Sequence, residues 1–81
     1  MDERNTLALD ELYSKCTEEE RSKLRRNIRE LLGRTRQTVW VFLTGKHNPR
    51  SVMEREGITE IVNMTLGLHT TSETLFPASR D

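Results

Sequence analysis

The amino-acid sequence predicts an all-α protein, a small bundle of four helices in a single domain that spans residues 1–81. Apolar residues recur at three- and four-residue spacing in four segments, as the buried face of a helix requires. Residues that favour helix N-termini precede these segments, and glycines follow three of them. A chain of 81 residues is near the lower size limit for burying its own core, so we expect marginal stability or a dimer.

The first helix is predicted to run from about Thr6 to Lys15, after residues 1–4, which we expect to be frayed. Its buried stripe is set by helical spacing and consists of Leu9, Leu12, Tyr13 and Cys16. Cys16 is the single cysteine of the chain, so no internal disulfide can form, which fits a reducing compartment. We interpret Cys16 as a small, half-buried hydrophobic residue.

The second helix is predicted to run from Glu18 to Leu32. Thr17 and Glu20 form a capping box, and acidic residues in the first turn favour the positive end of the helix dipole. Gly33 is expected to end the helix in the left-handed conformation, which allows a sharp turn. The buried stripe of this helix is Leu24, Ile28, Leu31 and Leu32.

The third helix is predicted to begin after the N-cap Thr35 and to end at Gly45, and its buried side is Val39, Phe42 and Leu43. Trp40 lies about 100° from its neighbour on the helical wheel. It could therefore project outwards or fold into the edge of the core. The core edge is favoured, because an exposed tryptophan on so small a domain is a hydrophobic liability.

Residues 46–50 are predicted to form a turn, because Pro49 disfavours helix before it. A second capping box, Ser51 with Glu54, then begins a fourth helix over about 52–66, in which Gly57 is a weak point or a close contact. The tail, residues 67–81, is loop-like, but its apolar hook Leu75-Phe76-Pro77 is expected to dock on the domain or on a second subunit. The packing face of the fourth helix is Met53, Ile58, Ile61, Val62 and Thr65 or Leu66.

Charge is distributed unevenly, although the chain has thirteen basic and thirteen acidic residues. Residues 1–20 contain two basic and seven acidic residues, a net charge of −5. Residues 21–50 contain nine basic residues and one acidic residue, a net charge of +8, and residues 51–81 contain two and five, a net charge of −3. A basic patch on a helix pair is typical of a surface that binds a polyanion such as nucleic acid. The alternative is a solvated surface whose arginines pair with the acidic flanks.

The segment Leu31–Lys46 resembles the helix-turn-helix of the lambda-repressor and Cro-like family of DNA-binding regulators. That family has an apolar pair, a glycine in the turn and a hydroxyl residue two positions later. A polar triplet, a β-branched core residue and, three positions further on, a bulky apolar residue follow. These positions are filled here by Leu32, Gly33, Thr35, residues 36–38, Val39 and Phe42. The family usually has a small residue four positions before the glycine, whereas this chain has Arg29. Its side chain either extends past the neighbouring helix along its aliphatic stem or indicates a wider helix crossing.

The resemblance implies a recognition helix over about 35–44, which enters the major groove with its first turn against base edges. Arginine suits O6 and N7 of guanine, and glutamine suits N6 and N7 of adenine. The residues expected to contact bases are Thr35, Arg36, Gln37, Trp40 and Val41. The residues expected to contact phosphates are Arg25, Arg26, Arg34, Thr38, Lys46, His47 and Arg50, with Thr38 alternatively facing its own helix.

The sequence does not indicate an enzyme, a metal site, a cofactor or a small-molecule ligand. His47 and His69 lie in predicted loops without partners at metal-ligand spacing, and neither a phosphate-binding glycine loop nor a nucleophile motif is present. The polar N-terminus is unlike a secretory signal, and no apolar run approaches the ~18 residues of a membrane span. We therefore expect a cytoplasmic protein that does not bind membranes.

Two functions are consistent with these observations. The first is a repressor-like, sequence-specific regulator that binds double-stranded DNA as a homodimer, because one short helix covers only a half-site. The apolar ending after a short helical domain resembles small regulators of bacterial mobile elements, which implies a bacterial or phage-like protein. The second is a helical module that keeps the helix-turn-helix shape but binds another protein. Exposure of Arg36 and Gln37 on the side of Lys46 and Arg50 would favour DNA, and packing against the acidic flanks would exclude it.

Overall fold

The computed structural model describes residues 3–33 and 35–77, and the regular elements within these ranges are all helices. The all-α class is therefore confirmed. The predicted count of four helices is wrong, because the described residues form five α-helices and one short 3-10 helix. The α-helices are α1 (Leu9–Ser14), α2 (Glu18–Leu32), α3 (Arg36–Leu43), α4 (Val52–Leu66) and α5 (Ser72–Leu75).

The N-terminal segment is more ordered than the sequence predicted. Glu3–Thr6 forms the 3-10 helix, so residues 3 and 4 are not frayed and α1 begins three residues later than Thr6. The guanidinium of Arg4 lies 3.4 Å from the carboxylate of Glu20, which ties this turn to the beginning of α2. Residues 1 and 2, also predicted to be frayed, lie outside the described residues.

The core forms around α2, which packs mainly against α4, while α3 packs against both α2 and α1. The predicted faces of α1, α2 and α3 supply buried residues, as helical periodicity requires. Leu31, predicted to lie in the buried stripe of α2, is instead 52% exposed, because it lies at the edge of the contact with α4, beside Gly57. Met53 of α4, predicted to pack, is instead 84% exposed, because α4 turns its Ile58 and Val62 towards α2. The buried apolar residues are Leu9, Leu12, Cys16, Leu24, Ile28, Val39, Leu43, Ile58, Val62, Leu68, Leu75 and Phe76.

Local side-chain chemistry sets the ends of α2 and the beginning of α3. The capping box of Thr17 and Glu20 is confirmed, with both of its hydrogen bonds present. Gly33 ends α2 with φ of 61°, a conformation that costs other residues roughly 1–2 kcal/mol. Thr35 then caps α3 by accepting a hydrogen bond from the backbone N–H of Thr38. The capping box predicted at Ser51 is wrong, because its side chain makes no capping hydrogen bond.

The C-terminal hook docks on the domain itself. The side-chain amide of Asn63 pairs with both backbone groups of Thr70, at 2.9 and 3.1 Å, which positions the segment after α4. Leu75 and Phe76 are then buried beside α4, at 1% and 5% exposure. Asn48, in the loop before α4, donates a hydrogen bond of 3.1 Å to the carbonyl of residue 77. The tail therefore completes the core and also fixes the loop that follows α3.

Candidate nucleic-acid interface

The polar side of α3 faces solvent. Arg36, Gln37 and Trp40 are exposed, whereas Val39 and Leu43 are buried. At 100° per residue, the three exposed residues occupy one continuous strip of the helix surface. Of the other residues predicted to contact bases, Thr35 is exposed at the N-cap and Val41 is half-buried at the border of the strip.

Trp40 does not lie in the core. Its side chain is 47% exposed, so the favoured placement at the core edge is wrong. Val39 and Leu43 fill the space beneath α3, and Phe42 packs at the border of the core. The indole is therefore left on the solvent side with Arg36, one helical turn earlier.

An open depression of about 650 Å³ lies between α2 and α3. It collects basic side chains that are separated in the sequence by the turn. Arg29, the departure from the family pattern, is exposed here instead of being inserted between the helices. Arg26, Arg29 and Gly33 are three and four residues apart, which places them on one face of α2. This spacing could have predicted Arg29 as a binding residue, but Arg29 was not predicted as one. The lining residues are Ser22, Arg25, Arg26, Arg29, Glu30, Gly33, Arg36 and Val39.

The acidic first turn of α2 and Tyr13 of α1 engage some cations of α2. Arg25 donates hydrogen bonds to the hydroxyl of Tyr13 and to the carboxylate of Glu18, and these contacts raise the pKa of Arg25. Lys23 pairs with Glu19 at 3.4 Å. The arginines nearest α3 have no such partners. Within residues 3–33 and 35–77, the side chains of Arg26, Arg29 and Arg36 form no hydrogen bond or ion pair.

Lys46 continues the exposed strip beyond the end of α3. Its ammonium nitrogen lies 4.7 Å from the centre of the Trp40 ring, a cation–π contact. The hydroxyl of Thr44 donates a hydrogen bond of 2.8 Å to the carbonyl of Trp40, which closes the last turn of the helix. Arg36, Trp40 and Lys46 therefore follow one another along one side of α3.

His47 and Arg50 lie on the other flank of α3. They border a second open depression, of about 630 Å³, together with Val41 and Phe42. The loop that carries them is fixed, because Pro49 accepts a hydrogen bond from Arg55 and Asn48 is buried against the tail. Arginine side chains thus border the exposed strip of α3 on both sides, Arg26 and Arg29 on one and Arg50 on the other.

Thr38 and Arg34 were also predicted to contact phosphates. The hydroxyl of Thr38 lies 3.1 Å from that of Thr35, so Thr38 faces its own helix cap in this structure. Arg34 lies outside the described residues.

None of the described helices is both long and apolar enough to cross a membrane. In the same part of the chain, His, Cys, Asp and Glu side chains do not form a group of three that could hold a metal ion. Cys16 is buried, and burial raises the pKa of its thiol.

Comparison of the chain with protein-family models, with curated proteins and with solved structures finds no match. The functional assignment therefore depends on the geometry and charge of the surface around α3.

Proposed function

We propose that this chain is a sequence-specific DNA-binding regulator of transcription that uses α2, the turn at Gly33 and α3 as a helix-turn-helix. One observation carries the proposal. The strip of α3 formed by Arg36, Gln37 and Trp40 is exposed. Three arginines that form no ion pair with a described residue border it: Arg26, Arg29 and Arg50.

The dimensions and the chemistry of this surface suit the major groove. A helix with its side chains is about 10–12 Å across, and the groove is about 12 Å wide. With α3 in the groove, Arg36 and Gln37 on its first turn would contact base edges. Arg26 and Arg29 would then approach phosphates of one strand, and His47 and Arg50 those of the other. Such phosphate contacts position a protein on the duplex, whereas base contacts give specificity.

The functional unit in this proposal is a homodimer. One α3 covers only a half-site, and helix-turn-helix dimers bind two half-sites spaced by about 34 Å, one turn of the duplex. A DNA sequence that the protein selects from a random library should therefore be an inverted repeat. Analytical ultracentrifugation of the protein with such a duplex should give two chains per duplex.

The test is a titration of a fluorescently labelled random-sequence duplex, followed by anisotropy at several salt concentrations. Each phosphate contact contributes about 0.9 to the slope of log K against log salt, so Arg26→Ala should reduce the slope by about that amount. Arg36→Ala should weaken binding and relax the sequence preference of a selected duplex. Lys23→Ala is the matched control, because this cation lies on the same helix but pairs with Glu19 and does not line the depression. An absence of salt-dependent binding would exclude the proposal.

A second candidate function, a protein-interaction module, is favoured by one observation. Four large apolar side chains of α2 and α4 are more than half exposed: Leu31 at 52%, Val52 at 64%, Met53 at 84% and Met64 at 77%. Exposed apolar groups of this kind mark protein-binding surfaces when they form a patch. A chain that fails to bind duplexes, and whose association with a protein is abolished by Met53→Ser or Met64→Ser, would support this second function.

A further inference from the structure

Trp40 is a large apolar side chain in a strip that is otherwise polar. It is 47% exposed, and it contributes nothing to the buried core of the described residues. Arg36 lies one turn before it, and Gln37 lies beside that turn on the same exposed strip. The ring is therefore placed to make an apolar contact with the molecule that the exposed strip of α3 binds.

We infer that Trp40 recognises the 5-methyl group of a thymine in the major groove, with Lys46 as the residue that positions the indole ring. The inference depends on the proposed DNA-binding function and specifies its sequence preference. The thymine methyl is the apolar group that a base pair presents in the major groove, and apolar side chains distinguish thymine by contact with it.

The position of Trp40 on the helix fits this role. Four residues of α-helix advance about 6 Å along the helix axis. When Arg36 contacts one base pair near the beginning of α3, Trp40 would reach a different base pair further along the groove. Arg36 and Gln37 supply polar contacts, and Trp40 adds the apolar contact that those side chains cannot make.

Lys46 restrains the ring. Its ammonium covers one face of the indole at 4.7 Å from the ring centre, so the remaining face and edge stay available to DNA. The backbone beneath the ring is also held, because the hydroxyl of Thr44 bonds to the carbonyl of Trp40. A ring fixed before binding loses less side-chain freedom when the complex forms.

The experiment begins with duplexes selected from a random library by the 81-residue chain. Each deoxythymidine of a selected duplex is then replaced singly by deoxyuridine, which pairs identically but lacks the methyl group. For the wild-type protein, we expect deoxyuridine at one thymine position of each half-site to weaken binding about fourfold. This is the effect of losing the burial of one methyl group. Trp40→Ala should bind the selected duplex and its deoxyuridine version equally. Trp40→Phe should keep part of the discrimination between them. Circular dichroism verifies that both variants are folded.

Two further variants separate specificity from general affinity and test the role of Lys46. Arg26→Ala should weaken binding to both duplexes while keeping the fourfold ratio, because this residue contacts phosphate in the proposed complex. Lys46→Met should lower the ratio and also increase the mobility of Trp40 in time-resolved fluorescence anisotropy of the free protein. Loss of a phosphate contact alone would change neither quantity.

The outcomes are distinguishable. A selected duplex in which no deoxyuridine weakens binding, or a Trp40→Ala variant that keeps the ratio, overturns the thymine inference and leaves DNA binding intact. Failure to select any duplex overturns the proposed function and the inference together.

Discussion

Arg25 donates a hydrogen bond of 2.6 Å to the hydroxyl of Tyr13 and another of 3.1 Å to the carboxylate of Glu18. The next residue, Arg26, is exposed and makes no comparable contact with any described residue. Two adjacent arginines that border the same depression therefore differ in their function: Arg25 joins α2 to α1, whereas the guanidinium of Arg26 is available to an anion.

This difference predicts that Arg25→Ala affects mainly the stability of the protein and that Arg26→Ala affects mainly its DNA binding. Arg25→Ala should lower the free energy of unfolding by about 1 kcal/mol, because a partly buried hydrogen bond and an ion pair are lost. Arg26→Ala should change it by less than about 0.5 kcal/mol, as is usual for an exposed residue. In the duplex titration Arg26→Ala should have the larger effect on the salt slope. Urea unfolding and fluorescence anisotropy measure the two quantities, and equal effects of both substitutions on DNA binding would contradict the assignment.

Gly57 lies where α4 crosses α2, beside the side chain of Leu31. A Cβ atom at position 57 would lie 2.6 Å from Cδ2 of Leu31, so an alanine requires that side chain to move. Alanine is favoured over glycine within a helix by about 1 kcal/mol. We therefore expect Gly57→Ala to raise the free energy of unfolding by about 1 kcal/mol in a Leu31→Ala background, and by less in the wild type. Thermal unfolding of the wild type, the two single variants and the double variant gives the coupling energy between the two substitutions. A coupling energy of zero would show that the two residues do not meet in solution.

The buried hook predicts a large effect of Phe76→Ala. Truncating a buried phenylalanine costs about 3–5 kcal/mol, which is comparable to the whole stability of a small domain. The variant should be substantially unfolded at 25 °C by circular dichroism. Met64→Ala is the matched control, because this large apolar residue is 77% exposed, and it should unfold like the wild type. Unchanged unfolding of Phe76→Ala would mean that the tail does not dock in solution.

The capping box at α2 predicts a pH dependence. The backbone N–H of Thr17 donates a hydrogen bond of 2.9 Å to Glu20, and this bond, together with Arg4, lowers the pKa of the Glu20 carboxyl. A lowered pKa in the folded state stabilises the protein above the unfolded value of about 4.3, and this stabilisation is lost as the pH falls through the folded value.

Glu20→Gln keeps an acceptor but removes the charge, so it should lower the free energy of unfolding by about 0.5–1 kcal/mol at pH 7. The difference from the wild type should shrink below about pH 4. Urea unfolding across this pH range measures it, with Glu56→Gln, at an exposed position of α4, as the control for the same change in net charge. A difference that stayed constant down to pH 2 would contradict this role of the carboxylate.

Local signals in the sequence were sufficient to predict the main helices. Thr17, Gly33 and Thr35 act on backbone groups within a few residues, and the predicted bounds of α2 and α4 agree with those observed. Most residues of their apolar stripes were predictable for the same reason, because their spacing follows from the helical repeat, but Leu31 and Met53 are exposed. The short helix α5 was not, because its four residues give no periodicity.

The candidate site was predictable only as a set of residues in sequence. Arg36 and Gln37 could be placed at the beginning of a helix, but the availability of each cation depends on residues far along the chain. Arg25 is engaged by Tyr13, twelve positions earlier, whereas the side chains of Arg26 and Arg29 are left to the depression. Sequence proximity does not reveal such pairings.

The sequence by itself determined the four longest helices and where the positive charge lies, because capping, turn geometry and periodicity are short-range effects. Only the tertiary structure decided that Trp40 faces solvent beneath Lys46 and that Met53 is exposed. It also decided that Phe76 completes the core. These outcomes depend on which faces of distant helices compete for the same buried volume, and a helical wheel of one segment contains no information about its neighbours.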